Sequence, residues 1–96
     1  MKLWIDDERV PPDASWYHAH TVVEGLEMIL RQLGTLEAIS LDHDFGLGQP
    51  TGYDLVYCLG RLKGGITQLP YIEVHSQNPD GRTAMLMLLE RLEINQ

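Results

Sequence analysis

Three short apolar segments of this chain each end in acidic or imidazole side chains. The segments are Leu3–Ile5, Leu36–Leu41 and Pro70–Val74, followed by Asp6-Asp7, Asp42-His43-Asp44 and His75-Ser76. Short apolar runs that stop at polar or turn-forming residues predict buried β-strands. Because ligands bind beyond the carboxyl ends of parallel strands, we expect the three polar groups to meet at one edge of a sheet.

Helix signals fill the spaces between these strands. Each predicted helix begins at a capping residue, and two of them end at glycine. The predicted helices run from Thr21 to Gly34, from Thr51 to Gly64-Gly65, and from Asn78-Pro79 onward. Strands that alternate with helices predict an α/β fold with parallel pairing and right-handed crossovers.

Residues Trp16–His20 alternate bulky and polar side chains, which predicts a further strand at the edge of the sheet. A loop precedes this strand, because the consecutive prolines Pro11-Pro12 forbid a helix or a central strand there. The chain shows no repeat or interdomain linker. We therefore predict one domain over residues 1–96 with a sheet of roughly four parallel strands.

The charge of the chain limits its partners. The net charge is −7, and only seven residues are Lys or Arg. Nonspecific binding to duplex nucleic acid depends on such cations, so we do not expect it. No apolar run approaches the ~20 residues of a membrane span, and we expect no membrane partner. The single cysteine, Cys58, forms no internal disulfide and favours the cytoplasm, or the host cytoplasm for a viral chain.

Four aspartates are candidate ligands for Mg²⁺ or Mn²⁺. Carboxylates held close together repel each other unless a cation or a proton lies between them. A divalent metal there would polarise a phosphoryl oxygen and lower the pKa of a bound water. On an extended chain Asp42 and Asp44, which we also predict to be catalytic, would point together and His43 away. The predicted ligands are Asp7, Asp44 and either Asp6 or Asp42; the alternative is a set of surface acids that never meet.

Residues around the last predicted strand are candidates for proton transfer and substrate binding. His75 is expected to face the same edge as the acids, as general acid or base or as a further ligand. Ser76 and Asn78 precede a helix N-terminus, which is a ready site for an anion. Arg82 lies in the first turn of that helix, where a cation is disfavoured, so we predict that it binds phosphate. Its alternative is a salt bridge to the acids. His43 is a further substrate-binding candidate, although a packing or hydrogen-bonding role suits it better.

The order of these groups resembles a receiver domain of two-component signalling. Such domains carry an acidic pair after the first strand, an Asp after the third and Ser or Thr after the fourth, matched here by Asp6-Asp7, Asp44 and Ser76. The spacing from Asp44 to Gly52 implies that Asp44, rather than Asp42, corresponds to the phosphoacceptor. The chain departs from receivers in two ways. A proline-containing loop replaces their first helix, and their fifth strand with its lysine has no counterpart.

A set of four motifs resembles a more divergent family still more closely. The motifs are W-I-D-D-E-R-V-P, S-L-D-H-D-F-G, T-G-Y-D and H-S-Q-N-P-D-G-R, and the family is the cyclic-phosphate-processing receiver domain of phages and bacteria. The resemblance implies a truncated receiver-like (flavodoxin-like) topology, a small three-layer sandwich with strand order 2-1-3-4. It also implies that the ligand is a cyclic phosphate on a small nucleotide or an RNA end.

Three functions are compatible with these features. The first is a phosphoesterase that uses Mg²⁺ or Mn²⁺ to open a cyclic phosphate by hydrolysis. The second is a sponge that binds a cyclic nucleotide signal without cleaving it, as in phage counter-defence. The third is a phosphoacceptor with Asp44 phosphorylated, which the missing lysine disfavours. A short sheet leaves an exposed edge, so a homodimer is also compatible with the sequence.

Overall fold

The computed structural model describes residues 1–65 and 69–95, which contain four strands and three α-helices. The strands are β1 (Lys2–Ile5), β2 (Trp16–Ala19), β3 (Ala38–Leu41) and β4 (Tyr71–Val74). The helices are α1 (Val22–Arg31), α2 (Gly52–Leu62) and α3 (Pro79–Arg91), and a 3₁₀ turn at Lys63–Gly65 follows α2. The predicted α/β alternation is confirmed.

All four strands pair in parallel, in the order β2-β1-β3-β4. This is the strand order that the resemblance implied. The register aligns the carboxyl ends of the strands, because Ile5 lies opposite both Ala19 and Leu41, and Leu41 lies opposite Val74. The residues that follow the strands therefore begin at one common edge of the sheet.

Helices cover one face of the sheet in the described part of the chain. The crossovers β2-α1-β3 and β3-α2-β4 run in the same direction across the sheet, so the right-handed rule places α1 and α2 on the same face. Helix α2 packs against α1 and α3. Most strand side chains on this face are almost completely buried, namely Leu3, Ile5, Ile39, Leu41 and Ile72, whereas Tyr17 on the edge strand is exposed. The expected three-layer sandwich is therefore wrong, because the proline loop between β1 and β2 replaces the helix that would cover the other face.

The other face of the sheet, which we call the open face, carries aromatic and polar side chains. Its members on the four strands include Trp4, Trp16, His18, Ser40 and Glu73. The rings of Trp4 and Trp16 meet edge to face, with centroids 5.9 Å apart. The indole N–H of Trp4 donates to the carbonyl of Arg9 at 2.8 Å. This bond attaches the loop that leaves β1 to the open face.

The three helices begin at the predicted capping residues. The hydroxyl of Thr21 caps α1, Thr51 forms a capping box with Asp54 at α2, and the side-chain oxygen of Asn78 accepts from the Gly81 backbone at α3. Helices α2 and α3 start close to the carboxyl edge of the sheet, and α3 directs the positive end of its dipole there. None of the helices in residues 1–65 and 69–95 is long and apolar enough to cross a bilayer.

The side chain of Asn95 covers the outer edge of β4. Its oxygen accepts from the backbone N–H of Ile72 at 2.8 Å, and its amide nitrogen donates to the carbonyl of Ile72 at 2.7 Å. The side-chain amide of Asn95 thus bonds both backbone groups of Ile72, as a neighbouring strand would. Asn95 has a φ of 73°, a left-handed conformation that asparagine tolerates better than most residues.

We expect Asn95→Asp to lower the free energy of unfolding by about 1–2 kcal/mol, because a carboxylate keeps the acceptor but loses the donor to Ile72. Urea denaturation followed by circular dichroism measures this change. The control is Gln49→Glu, which adds the same charge in an exposed loop. Equal stability of the two variants would show that the contact with β4 contributes nothing.

Candidate functional site

A pocket of about 250 Å³ opens at the carboxyl edge of the sheet. Its walls come from the segments that follow β1, β3 and β4. The residues that line it are Asp6, Asp7, Glu8, Arg9, Asp42, Asp44, Gly46, Ser76, Gln77 and Asn78. The polar ends of three separate strands thus meet in one place.

Three carboxylates within this pocket lie close enough to share a cation. Asp6, Asp7 and Asp42, which we call the acidic cluster, bring oxygen atoms within 4.8 Å of one another. Burial, together with the neighbouring charge of Asp6, raises the pKa of Asp42 above its ordinary value. A divalent cation would offset this repulsion, and carboxylate oxygens are the donors that Mg²⁺ and Mn²⁺ prefer. The acidic cluster therefore fits such a metal.

Asp6 is the most constrained member of the acidic cluster. One carboxylate oxygen accepts from the backbone N–H groups of Glu8 and Arg9, each at 2.8 Å, and the other lies 2.9 Å from Nε2 of His75. The side chain is only 1% exposed. Burial alone would raise the pKa of Asp6, but the hydrogen bonds outweigh it and lower the pKa. Asp6 therefore remains ionised and fixed in direction.

His75 lies behind Asp6 and does not line the pocket. Its imidazole is 10% exposed, with Nδ1 2.7 Å from the hydroxyl oxygen of Ser40 and the ring stacked on Trp4 at a centroid distance of 3.9 Å. The backbone N–H of His75 donates to the carbonyl of Leu41, so strand pairing continues and its side chain turns to the open face. The imidazole that we expected to face the pocket therefore lies behind the Asp6 carboxylate and contacts it.

A chain of hydrogen bonds joins the open face to the acidic cluster. The hydroxyl of Ser40 lies 3.2 Å from a carboxylate oxygen of Glu73 and 2.7 Å from His75, and His75 contacts Asp6. Serine, histidine and aspartate also form the triads of hydrolases. Here Ser40 is 0% exposed, so its hydroxyl supports the site and does not attack a substrate.

Asp44 lines the mouth of the pocket but lies outside the acidic cluster. Its carboxylate is 61% exposed, and hydrogen bonds from His43 at 2.9 Å and from the Asn78 amide at 3.2 Å lower its pKa. The first residue of α2, Gly52, packs so closely on the backbone of Asp42 that a Cβ would collide with its carbonyl. Asp42 and Asp44 both line the pocket and His43 does not, but it is Asp42 that lies within the acidic cluster, whereas Asp44 contacts His43.

The predicted phosphate-binding residues separate into two groups. Ser76 and Asn78 line the pocket, and the hydroxyl oxygen of Ser76 accepts from the Asn78 backbone at 3.1 Å. His43 and Arg82 do not line it. The ring of His43 packs against Gly81 in the first turn of α3, and Arg82 is exposed on that helix. The pocket wall on this side is therefore the segment that leads into α3.

Arg9 lines the pocket and was missed by sequence reasoning. Its Nη2 donates to the carbonyl of His75 at 2.8 Å, and its Nε lies 3.6 Å from a carboxylate oxygen of Asp6. A loop residue belongs to no periodic pattern, so neither strand nor helix signals marked it. The available signal was its position directly after the acids Asp6, Asp7 and Glu8 in the first motif.

The family comparison covers nearly all of this structure. A family profile described as the cyclic-phosphate processing receiver domain matches residues 1–91, which include every strand, every helix and the whole pocket. The chain belongs to this family. No curated protein and no solved structure matches it. Membership of the cyclic-phosphate processing receiver domains confirms the resemblance that the four motifs indicated.

We expect Asp42→Asn to raise the free energy of unfolding in metal-free buffer at pH 7 by about 1 kcal/mol, because it removes the repulsion within the acidic cluster. The raised pKa means that the folded protein takes up a proton more readily than the unfolded chain. The penalty from Asp42 is complete above its folded pKa and shrinks as the pH falls through it. The stability difference between the variant and the native chain should therefore narrow on acidification.

Thermal denaturation across pH, with and without Mg²⁺, measures this difference. Mg²⁺ should stabilise the native chain and leave Asp42→Asn unchanged. The control is Asp80→Asn, which removes an exposed acid from the first turn of α3 and should slightly lower stability. A metal response that survives in Asp42→Asn would remove Asp42 from the proposed ligands.

His75→Phe should preserve the stack on Trp4 but remove both ring hydrogen bonds. We expect metal affinity to fall by about 10-fold, the scale typical of groups that orient a ligand, and stability to fall by about 1–3 kcal/mol. Titration with Mn²⁺ monitored by electron paramagnetic resonance measures the affinity. The control is His20→Phe, an exposed position on the far side of β1. Unchanged affinity in His75→Phe would contradict a positioning role.

Proposed function

We propose that this protein is a metal-dependent phosphoesterase that opens a cyclic phosphate on a nucleotide or an RNA end. One observation carries the proposal. The acidic cluster and the segment that leads into the positive end of α3 line the same pocket. A cation site beside an anion site is what a phosphoryl group needs. The description of the family supports a cyclic phosphate as that group.

The acidic cluster supplies the metal ligands in this proposal. Asp6, Asp7 and Asp42 would hold Mg²⁺ or Mn²⁺, which polarises a phosphoryl oxygen and lowers the pKa of a bound water when present. His75 keeps the Asp6 carboxylate in a fixed direction, so the ligand needs little rearrangement. Asp42 is tied to its own chain by the backbone N–H of His43, at 2.8 Å. Two of the three proposed ligands, Asp6 and Asp42, are thus preorganised by hydrogen bonds.

Ser76 and Asn78 supply the phosphate-binding wall. Both precede α3, where the helix dipole favours a negative charge. Ser76 is 9% exposed, its hydroxyl oxygen accepts from the Asn78 backbone at 3.1 Å, and it lines the pocket together with Asp42, so the proposed cation and anion sites adjoin. As ring opening places further negative charge on the phosphate oxygens, donors already aimed at them stabilise the transition state.

Proton transfer falls to an exposed carboxylate in this scheme. The attacking water must lose a proton, and His75 has no access to the pocket. Asp44 lines the mouth of the pocket, and the contacts that lower its pKa keep it ionised. We assign it the role of proton acceptor from the attacking water, which a carboxylate can fill at neutral pH. The ester oxygen released when the P–O bond of the ring breaks takes up a proton from protonated Asp44 or from solvent.

A non-catalytic binder of a cyclic nucleotide is the second candidate. It is favoured by one observation, since among residues 1–65 and 69–95 the lining of the pocket contains no imidazole. Capture of a nucleotide needs a cation and hydrogen-bond donors but no proton shuttle. The two candidates therefore share a site and differ only in whether the phosphate ester bond breaks.

Incubation with a panel of 2′,3′-cyclic and 3′,5′-linked nucleotides in Mg²⁺, Mn²⁺ or EDTA separates the candidates. The enzyme should yield a phosphomonoester from the cyclic substrates with metal and none with EDTA. Asp42→Asn should reduce the rate by more than about 100-fold, beyond the loss typical of supporting groups. Asp80→Asn serves as the matched control.

Tight binding with the nucleotide recovered intact would eliminate the enzyme in favour of the binder. Acetyl-phosphate labelling provides a further check on the phosphoacceptor alternative. A stable label that is lost in Asp42→Asn or Asp44→Asn would indicate a phosphoacceptor and contradict both candidates.

A further inference from the structure

We propose that Arg9 is the phosphate-binding cation of this pocket and, at the same time, the internal counter-ion of Asp6. The inference rests on the proposed function, because it requires a phosphate in the pocket. It replaces Arg82, the residue that the sequence favoured for this role. It also predicts that metal and phosphate affinity change in opposite directions when Arg9 is altered.

The charge of the pocket requires a cation. Five carboxylates line it, those of Asp6, Asp7, Glu8, Asp42 and Asp44, and Arg9 is the basic residue among its lining. A divalent ion offsets two of these charges and leaves a net negative wall. A phosphate anion entering such a pocket is repelled unless a fixed positive group faces it. Arg9 is placed to be that group.

The backbone of Arg9 is fixed from two sides. Its N–H donates to the Asp6 carboxylate at 2.8 Å, and its carbonyl accepts from the indole of Trp4 at 2.8 Å. The side chain is therefore anchored at its base to β1 and to the open face. Little conformational entropy remains to be lost at this position when a ligand binds.

The guanidinium of Arg9 is held by two contacts and still reaches the pocket. Nη2 donates to the His75 carbonyl at 2.8 Å, and Nε lies 3.6 Å from Asp6. A guanidinium carries five N–H groups in a planar fork, so donors remain for two oxygens of one phosphate. The side chain is 43% exposed and lines the pocket, which gives a ligand access to it.

The contact with Asp6 determines the direction in which metal affinity should change when Arg9 is substituted. A cation 3.6 Å from a metal ligand competes electrostatically with the metal. Removal of the charge from Arg9 should therefore strengthen metal binding while it weakens phosphate binding. A residue that merely supports the fold would weaken both, because the pocket itself would be distorted.

The experiment compares Arg9→Gln and Arg9→Lys with the native chain. Calorimetric titration with inorganic phosphate at saturating Mg²⁺ should show affinity reduced about 10- to 100-fold in Arg9→Gln, the range expected for a lost charge-assisted hydrogen bond. Arg9→Lys keeps the charge without the planar fork, so its phosphate affinity should lie between those of the native chain and Arg9→Gln. Titration with Mn²⁺ alone should show affinity raised by about two- to fivefold in Arg9→Gln.

Two arginine controls make the result specific. Arg82→Gln tests the alternative phosphate-binding residue, and Arg61→Gln removes an exposed arginine from the last turn of α2. Both should leave phosphate affinity within twofold of the native value. The proposal is overturned if phosphate binds Arg9→Gln as tightly as the native chain, if Arg82→Gln shows the loss instead, or if the native chain binds no phosphate.

The same titrations separate this inference from the proposed function. The phosphate titrations are repeated in EDTA, so that the effect of Arg9 on phosphate affinity is measured without a metal. If native protein binds no Mn²⁺, the metal-dependent function fails while the phosphate titrations still decide the role of Arg9. If Mn²⁺ binds and Arg9→Gln weakens its binding, Arg9 is structural and the metal site stands.

Discussion

The buried carboxylate of Asp6 is the interaction on which the candidate site depends. An ionised group that is nearly inaccessible to water is costly unless it is paired and hydrogen-bonded. Here the backbone N–H groups of Glu8 and Arg9 and the ring of His75 supply those contacts. The backbone of Asp6 also donates to Ala19 at 3.0 Å, and its carbonyl lies 2.7 Å from the ring of His18. One residue thus connects β1 to β2, to β4 and to the loop that forms a wall of the pocket.

Asp6 and Asp42 have opposite environments although they lie side by side. Hydrogen bonds lower the pKa of Asp6, whereas burial and the charge of its neighbour raise the pKa of Asp42. The charge repulsion between the two carboxylates therefore destabilises the ionised form of Asp42, which has fewer hydrogen bonds than Asp6. A lower free energy of unfolding is a common consequence of the charge arrangement that a binding site requires.

The sequence was sufficient for the elements and their order, because periodicity, capping residues and strand-end acids are local signals. It was insufficient for the number of layers, because that number depends on the connection between β1 and β2, which contains a proline loop instead of a helix. It also did not give the final position of two side chains beyond the strands. Pairing continues through His75, which turns it to the open face, and Asp44 lines the pocket but lies outside the acidic cluster. Arg9 was missed because a loop gives no periodic signal, and its position is defined by hydrogen bonds with Trp4, Asp6 and His75.

A chain of hydrogen bonds connects the open face of the sheet to the acidic cluster from behind the pocket. Glu73 is exposed there, and the polar contacts through Ser40 and His75 end on the Asp6 carboxylate. A substitution at Glu73 would alter the contacts that hold the Asp6 carboxylate, although Glu73 does not line the pocket. If the acidic cluster holds a cation as proposed, its affinity would then depend on a residue on the reverse side of the sheet.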